Sequence, residues 1–126
     1  MTRISGLLLA TLMAVSLPMP VVAADKVPTK PGRCVATSIK EISSRLERVA
    51  DSGSAIEYAN GIYGVSYDMI PEITHSKVGD KVALCLVSLP ENCPEGDERG
   101  KIYAAFNLRT NEFWELPDAE HMCGGA

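Results

Sequence analysis

Four cysteines offer the most varied chemistry in this chain: Cys34, Cys85, Cys93 and Cys123. A structural zinc site needs paired ligands at short spacing, such as two cysteines separated by two residues. None of the four is that close to another, so the spacing predicts neither a metal site nor a cofactor. An even number of cysteines in a small domain is typical of two disulfides formed in an oxidising compartment.

The pairing of these cysteines is open at the level of the sequence, because four cysteines allow three connectivities. We favour a Cys34–Cys123 bond, which would tie together the two ends of the domain, and a local Cys85–Cys93 bond. Each of the three connectivities leaves no free thiol for nucleophilic chemistry.

Residues for acid–base or nucleophilic catalysis are sparse. Nucleophilic catalysis needs an activated serine or cysteine beside a base, and the two histidines, His75 and His121, belong to no nucleophile motif. Four acidic side chains share one polar stretch: Glu91, Glu95, Asp97 and Glu98. Their spacing is typical of a solvated loop rather than of a glycosidase pair or a calcium loop. We therefore predict that the chain is not an enzyme.

Aromatic residues are the remaining candidates for contact with a ligand. Phe106, Phe113 and Trp114 could stack on a sugar, although core packing is the more common role of such residues. Three tyrosines flank one predicted hairpin: Tyr58, Tyr63 and Tyr67. Tyrosine supplies a large contact area at a low entropic cost, so this hairpin is a candidate binding surface.

The first 24 residues are typical of a cleavable signal peptide. Arg3 supplies the positive start, and residues 7–17 form an apolar run that is shorter than the ~20 residues a membrane-spanning helix needs. Small residues at 21–24 provide a cleavage site. We therefore predict a periplasmic or secreted protein with no stable membrane anchor after cleavage.

The remaining chain has the length of one domain. We predict a flexible lead-in at 25–33, followed by a single domain at 34–126. Without Arg3 the chain has 11 Lys and Arg residues against 16 Asp and Glu residues, a net charge of −5. Nucleic acid and anionic lipid repel such a domain, so we expect a protein partner. If electrostatic attraction drives the association, that partner should be basic.

Short strand-like runs separated by turns fill most of the domain: 55–59, 62–67, 81–89, 101–107 and 112–116. Asn60-Gly61 between the first two is a strong hairpin signal. Residues 35–49 fit a helix by their apolar spacing, but their Ser, Thr, Val and Ile content favours a bulged first strand, which we prefer. The pattern predicts an all-β or mainly β domain, built as a small antiparallel β-barrel or sandwich with disulfides.

The stretch from Ser52 to Gly61 resembles the Ser-Gly-x-x-Tyr motif and following turn of the periplasmic and membrane-bound inhibitors of C-type lysozyme. These inhibitors are small exported bacterial β-barrels. The similarity covers about residues 50–87. It implies that a serine-bearing loop enters the cleft of C-type lysozyme, a basic enzyme, and meets its catalytic carboxylates. Residues 107–126 are also similar to a group of small exported bacterial proteins of unknown function.

The resemblance implies a partner-binding set composed of Ser52, Gly53, Ser54, Tyr58, Asn60, Tyr63, Lys77 and Lys81. The two lysines belong to a second motif, a Lys-Gly turn into which Val78 is inserted here. The expected function is therefore an exported inhibitor of C-type lysozyme. The alternative is a periplasmic structural or assembly factor that binds an envelope protein or a glycan. The sequence leaves the oligomeric state open, a homodimer included.

Overall fold

The computed structural model describes residues 2, 6, 10–17 and 26–125 of the 126-residue chain. Most of the predicted signal peptide, with its cleavage site, lies outside the described residues. Six strands and one short helix follow in the order β1 (Cys34–Ser44), β2 (Ser54–Tyr58), β3 (Tyr63–Ser66), α1 (Pro71–Thr74), β4 (Lys81–Ser88), β5 (Ile102–Asn107) and β6 (Phe113–Pro117). The strands form one antiparallel sheet in the order β3-β2-β1-β4-β5-β6, which confirms the predicted fold class.

The first strand organises the sheet because it pairs with two partners along its 11 residues. Its first half, Cys34–Ser38, pairs with β4, and its second half, from Ile39 onward, pairs with β2. The register shifts between Ile39 and Glu41, and such a bulge bends a strand and increases its twist. The bulged-strand prediction is confirmed for residues 34–44, and the alternative helix at 35–49 is wrong, because tertiary pairing outweighs the helical spacing.

The sheet curls into a half-barrel, which brings its two edge strands, β3 and β6, close together. Gly64 of β3 faces inward, where an added Cβ would lie 3.2 Å from Ile56 Cγ2 and 3.2 Å from Leu116 Cδ1. The missing side chain therefore lets β3 come close to β6. Inside the curl the core contains these residues: Ile39, Ile56, Tyr58, Ile62, Ile73, Val82, Leu84, Leu86, Tyr103, Ala105, Trp114 and Leu116.

The disulfides join Cys34 to Cys85 and Cys93 to Cys123. The favoured Cys34–Cys123 and Cys85–Cys93 pairing is therefore wrong. The physical reason is the sheet order: Cys34 and Cys85 stand directly opposite each other on the neighbouring strands β1 and β4, with Cα atoms 3.9 Å apart. Two disulfides indicate an oxidising, extracytoplasmic environment.

The segment before β1 is fastened to the domain. The Gly32 amide donates to the Leu86 carbonyl at 2.8 Å, the Leu86 amide donates to the Arg33 carbonyl at 3.0 Å, and Pro28 is buried. Gly32 and Arg33 thus extend the pairing of β1 with β4 by two residues beyond the start of β1.

The connections carry two further local features. The predicted Asn60-Gly61 turn joins β2 to β3, with Gly61 at a φ of 87°. The stretch after β3 contains the single-turn helix α1, with Pro71 at its first position. Ile73 of this helix is 2% exposed and closes one part of the core.

Candidate functional site

Ser52, the residue that the resemblance places in a partner's cleft, is bonded within its own loop. Its hydroxyl accepts a hydrogen bond from the Leu46 amide at 3.0 Å and donates one to the Val49 carbonyl at 2.7 Å. The Arg45 side chain adds a bond from Nε to the Ser52 carbonyl at 2.7 Å. These contacts fix the conformation of residues 45–52, which we call the Ser52 loop.

Gly53 and Ser54 fasten the Ser52 loop to the sheet. Gly53 has a φ of 124°, and an added Cβ there would collide with the carbonyl oxygen of Ser66. Ser54 is 3% exposed, and its hydroxyl accepts a hydrogen bond from the Ile70 amide at 2.8 Å. Both residues therefore support the fold, and the hydroxyl of Ser54 is already bonded.

The hairpin residues of the predicted set divide between core, turn and surface. Tyr58 is 2% exposed, so its ring offers a partner no contact area. Asn60 builds the turn, where its Oδ1 accepts from the Ile62 amide at 3.2 Å and its Nδ2 donates to the Lys26 carbonyl at 3.0 Å. Tyr63 is 39% exposed. Partial burial, with the nearby carboxylates of Glu120 and Glu41, raises the pKa of Tyr63.

The two lysines of the predicted set are exposed and lie away from the serines. Lys77 precedes β4, and its amide donates to Asp80 Oδ2 at 2.8 Å. Lys81 begins β4, which is separated from β2 by β1 in the sheet order. The structure therefore brings the serines and lysines of the two motifs to different parts of the sheet.

The exposed part of the Ser52 loop lies just before the serine. Residues 46–51 are all exposed, and the side chains of Leu46 and Val49 retain 43% and 49% of their accessible surface. At the base of the loop the guanidinium of Arg45 stacks 4.2 Å from the ring centroid of Tyr67 and bonds Glu120 at 3.2 Å. A fixed, protruding loop with two apolar side chains is thus available to a partner.

A polar cluster around Asp80 was not predicted from the sequence. The Asp80 carboxylate accepts from Arg109 Nε at 2.7 Å, Asn107 Nδ2 at 2.9 Å and the Lys77 amide. Asn107 also donates to Ser76 Oγ at 2.9 Å and is fully buried. The Arg109 hydrogen bonds hold the pKa of the Asp80 carboxyl well below its usual range. These hydrogen bonds are all made within the protein, and they join the α1–β4 turn to the β5–β6 turn.

The sequence did not predict the outward side of β1, β4, β5 and β6 as one surface, and we call it the outer face. On β4 the buried residues Val82, Leu84 and Leu86 alternate with residues that point away from the core. The face has fourteen positions, of which thirteen are strand residues and one is Leu108, which directly follows β5 and bonds Lys81 through its amide. The strand residues are Cys34, Ala36, Ser38, Lys81, Ala83, Cys85, Val87, Ile102, Ala104, Phe106, Phe113, Glu115 and Pro117.

The outer face is apolar across its whole width. Ala36, Ala83, Phe106 and Phe113 stand opposite one another in register and form one row over four strands. Phe106 is 39% exposed and Phe113 is 68% exposed. An antiparallel sheet that faces water on one side normally alternates apolar and polar residues, so this face departs from the pattern of a solvated surface.

A shallow depression of about 320 Å³ lies at one end of the outer face. Its lining includes Ala36, Ser38, Lys81 and Leu108. The apolar character of β4 on both sides was visible in the sequence, where residues 81–89 are the most apolar run after the predicted signal peptide. Ala104, Phe106 and Phe113 became part of one surface only through strand pairing.

The remaining candidate residues for metal binding or acid–base chemistry are dispersed over the described part of the chain. Within residues 26–125 no group of three His, Cys, Asp or Glu side chains is placed to hold a metal ion. His75 Nδ1 lies 3.0 Å from Glu112 Oε2 at an exposed position, and Asp97 of the acidic loop binds Arg99 at 2.9 Å.

Comparisons with known proteins bear on neither family nor function. No family model, curated protein or solved structure matches this chain. Among the residues that the structure describes, no helix is both long and apolar enough to cross a membrane.

Proposed function

We propose that this chain is an exported, non-catalytic binding domain that docks a protein in the bacterial envelope through its outer face. The observation that carries the proposal is the composition of that face: two of its fourteen residues, Lys81 and Glu115, are charged. Contiguous exposed apolar patches on small domains mark interaction sites, and the centres of interfaces are depleted in charge and enriched in Phe.

The rigidity of the outer face supports a binding role. The Cys34–Cys85 disulfide crosses two of its four strands, and positions 36, 83 and 104 are alanines, whose side chains have no rotamer freedom to lose. A surface that is already ordered loses little conformational entropy on binding. Export to the periplasm, through the signal peptide predicted at 1–24, would supply the oxidising conditions that both disulfides need.

A photo-crosslinking amino acid at position 113, introduced into the full chain in cells that export it, tests the proposal. Phe113 is 68% exposed, so the replacement leaves the core intact. The matched control places the same amino acid at Glu47, an exposed residue of the Ser52 loop. A discrete protein adduct at 113 and none at 47 is the expected result, and an absence of adducts at 113 contradicts docking through the outer face.

Inhibition of C-type lysozyme is the second candidate function, and the geometry of the Ser52 loop supports it. The loop protrudes, its conformation is fixed by bonds from Ser52, and its tip carries the exposed Leu46 and Val49. The chain is acidic, with a net charge of −4 over its full length, and would be steered toward a basic enzyme. In this version the loop tip, rather than the serine hydroxyl, enters the cleft.

The protein purified after export should slow lysozyme on bacterial cell walls at a roughly stoichiometric ratio. Leu46→Ser with Val49→Ser should weaken this inhibition, because the two side chains form the apolar tip. Val78→Ser is the matched control, since Val78 is 64% exposed on a different turn. Full lysozyme activity at a large excess of the protein rules out this candidate.

A further inference from the structure

We propose that a second copy of this chain packs on the outer face, with a two-fold axis passing by Phe106. This inference deepens the proposed binding function, since it rests on the same surface and names its occupant. The occupant is argued from charge: Lys81 and Glu115 take positions on the face that make it complementary to itself.

The two charged residues lie symmetrically about Phe106. Lys81 lies on β4, two residues before Ala83, which is the residue paired with Phe106. Glu115 lies on β6 opposite Ala104, which precedes Phe106 by two residues on β5. Lys81 and Glu115 are therefore displaced from Phe106 in opposite directions along the strands. From standard strand spacings, each charged residue lies about 8 Å from Phe106.

A two-fold axis in the plane of the face, perpendicular to the line from Lys81 to Glu115, exchanges these positions between copies. Phe106 then meets Phe106 of the second copy, and Lys81 faces Glu115 of the second copy at both ends. Such an isologous contact uses one patch on both subunits and closes without further growth. Neither Lys81 nor Glu115 forms an ion pair within residues 26–125, so both charges are free to pair.

The same operation matches the apolar residues by size. Phe113 of the second copy is carried to Leu108, which borders the shallow depression. Ala83 is carried to Ala104, so small residues oppose small residues on either side of the Phe106 contact. The strands of the two sheets then cross at a large angle, as in orthogonal sheet packing.

The size of the face sets the expected strength of the dimer. Fourteen sheet positions cover about 450 Å² on each copy at standard strand spacings. This is smaller than the roughly 800 Å² per partner of a typical stable interface. We therefore expect a weak, reversible dimer rather than an obligate one.

Charge reversal tests the arrangement in the exported, disulfide-bonded protein by sedimentation velocity between about 1 and 500 µM. Lys81→Glu or Glu115→Lys alone places like charges together at both ends of the interface and should weaken dimerisation about five- to tenfold. The double variant restores opposite charges, and its dissociation constant should return to within about twofold of the wild-type value. Lys30→Glu with Glu47→Lys, both exposed residues outside the face, is the matched control and should change nothing.

Three results would overturn the inference: a wild-type protein that stays monomeric at 500 µM, single reversals that leave the dimer unchanged, or a double reversal that fails to restore it. The crosslinker at position 113 separates this failure from failure of the proposed function. An adduct to a different protein supports the proposed docking function and contradicts the proposal that a second copy occupies the outer face. An adduct of twice the chain's mass, lost in Lys81→Glu, supports the dimer.

Discussion

The indole Nε1 of Trp114 donates a hydrogen bond of 2.9 Å to the phenol oxygen of Tyr58, across the interior of the half-barrel. The two residues are 56 positions apart in the chain, and both are buried. Burial raises the pKa of Tyr58 well above its ordinary value, while the Trp114 hydrogen bond acts in the opposite direction. This bond links β2 to β6, which are separated by β1, β4 and β5 in the strand order.

Loss of the Trp114–Tyr58 bond should destabilise the fold measurably. Tyr58→Phe leaves the indole N–H buried without a partner and should lower the free energy of unfolding by about 1–3 kcal/mol. Urea denaturation of Tyr58→Phe, Trp114→Phe and the double variant gives the coupling between the two residues, expected near 1 kcal/mol. Strict additivity of the two single effects would show that the bond contributes nothing.

Gly53 should tolerate no side chain. Gly53→Ala places a Cβ against the Ser66 carbonyl at a φ of 124°, and we expect a loss of at least about 3 kcal/mol or a failure to fold. Gly61→Ala is the matched control, because Gly61 has a φ of 87° with no atom within 4 Å of an added Cβ. Its cost should be only about 1 kcal/mol. Equal thermal stability of the two variants would contradict the steric account.

The Asp80 cluster should make stability depend on pH in the acid range. The pKa of Asp80 is lowered in the folded protein, so the folded state holds the carboxylate in its charged form more strongly than the unfolded chain does. Its contribution is therefore complete above the ordinary aspartate pKa of about 4 and is lost as pH falls below that value. Asp80→Asn should reduce the urea midpoint at pH 7 and flatten its decline between pH 5 and pH 2.

Asp68→Asn is the matched control for Asp80→Asn, because Asp68 is exposed and its carboxylate bonds nothing within residues 26–125. This variant should keep the wild-type acid profile. An unchanged profile for Asp80→Asn itself would remove Asp80 from the groups that set acid stability.

The disulfide connectivity can be checked directly by peptide mapping under non-reducing conditions. We expect linked peptides containing Cys34 with Cys85 and Cys93 with Cys123. Replacing Cys93 and Cys123 together by serine should lower stability by about 2–4 kcal/mol, because the disulfide restricts the unfolded chain. A linked peptide of Cys85 with Cys93 would contradict the pairing of β1 with β4.

Several elements were predictable because local chemistry decides them. Asn60-Gly61 favours a hairpin in any context, and the strand-like runs predicted at 101–107 and 112–116 are strands at 102–107 and 113–117. The composition of residues 34–44, rich in β-branched side chains, correctly favoured a strand over the helix that the apolar spacing suggested. The sequence did not predict which residues of the proposed partner-binding set are accessible. Ser54 and Tyr58 are buried, and the Ser52 hydroxyl is bonded within its loop.

By itself, the amino-acid sequence determined the class of the fold, the main turns and the expectation of two disulfides, because each depends on local propensity or on residue counts. The tertiary structure decided which cysteines pair, that Asp80 meets Arg109, and that Ala36, Ala83, Phe106 and Phe113 form one row. These outcomes depend on strand order and register, which arise when distant segments pack around one core. A sequence read along one dimension does not specify which distant residues will become neighbours.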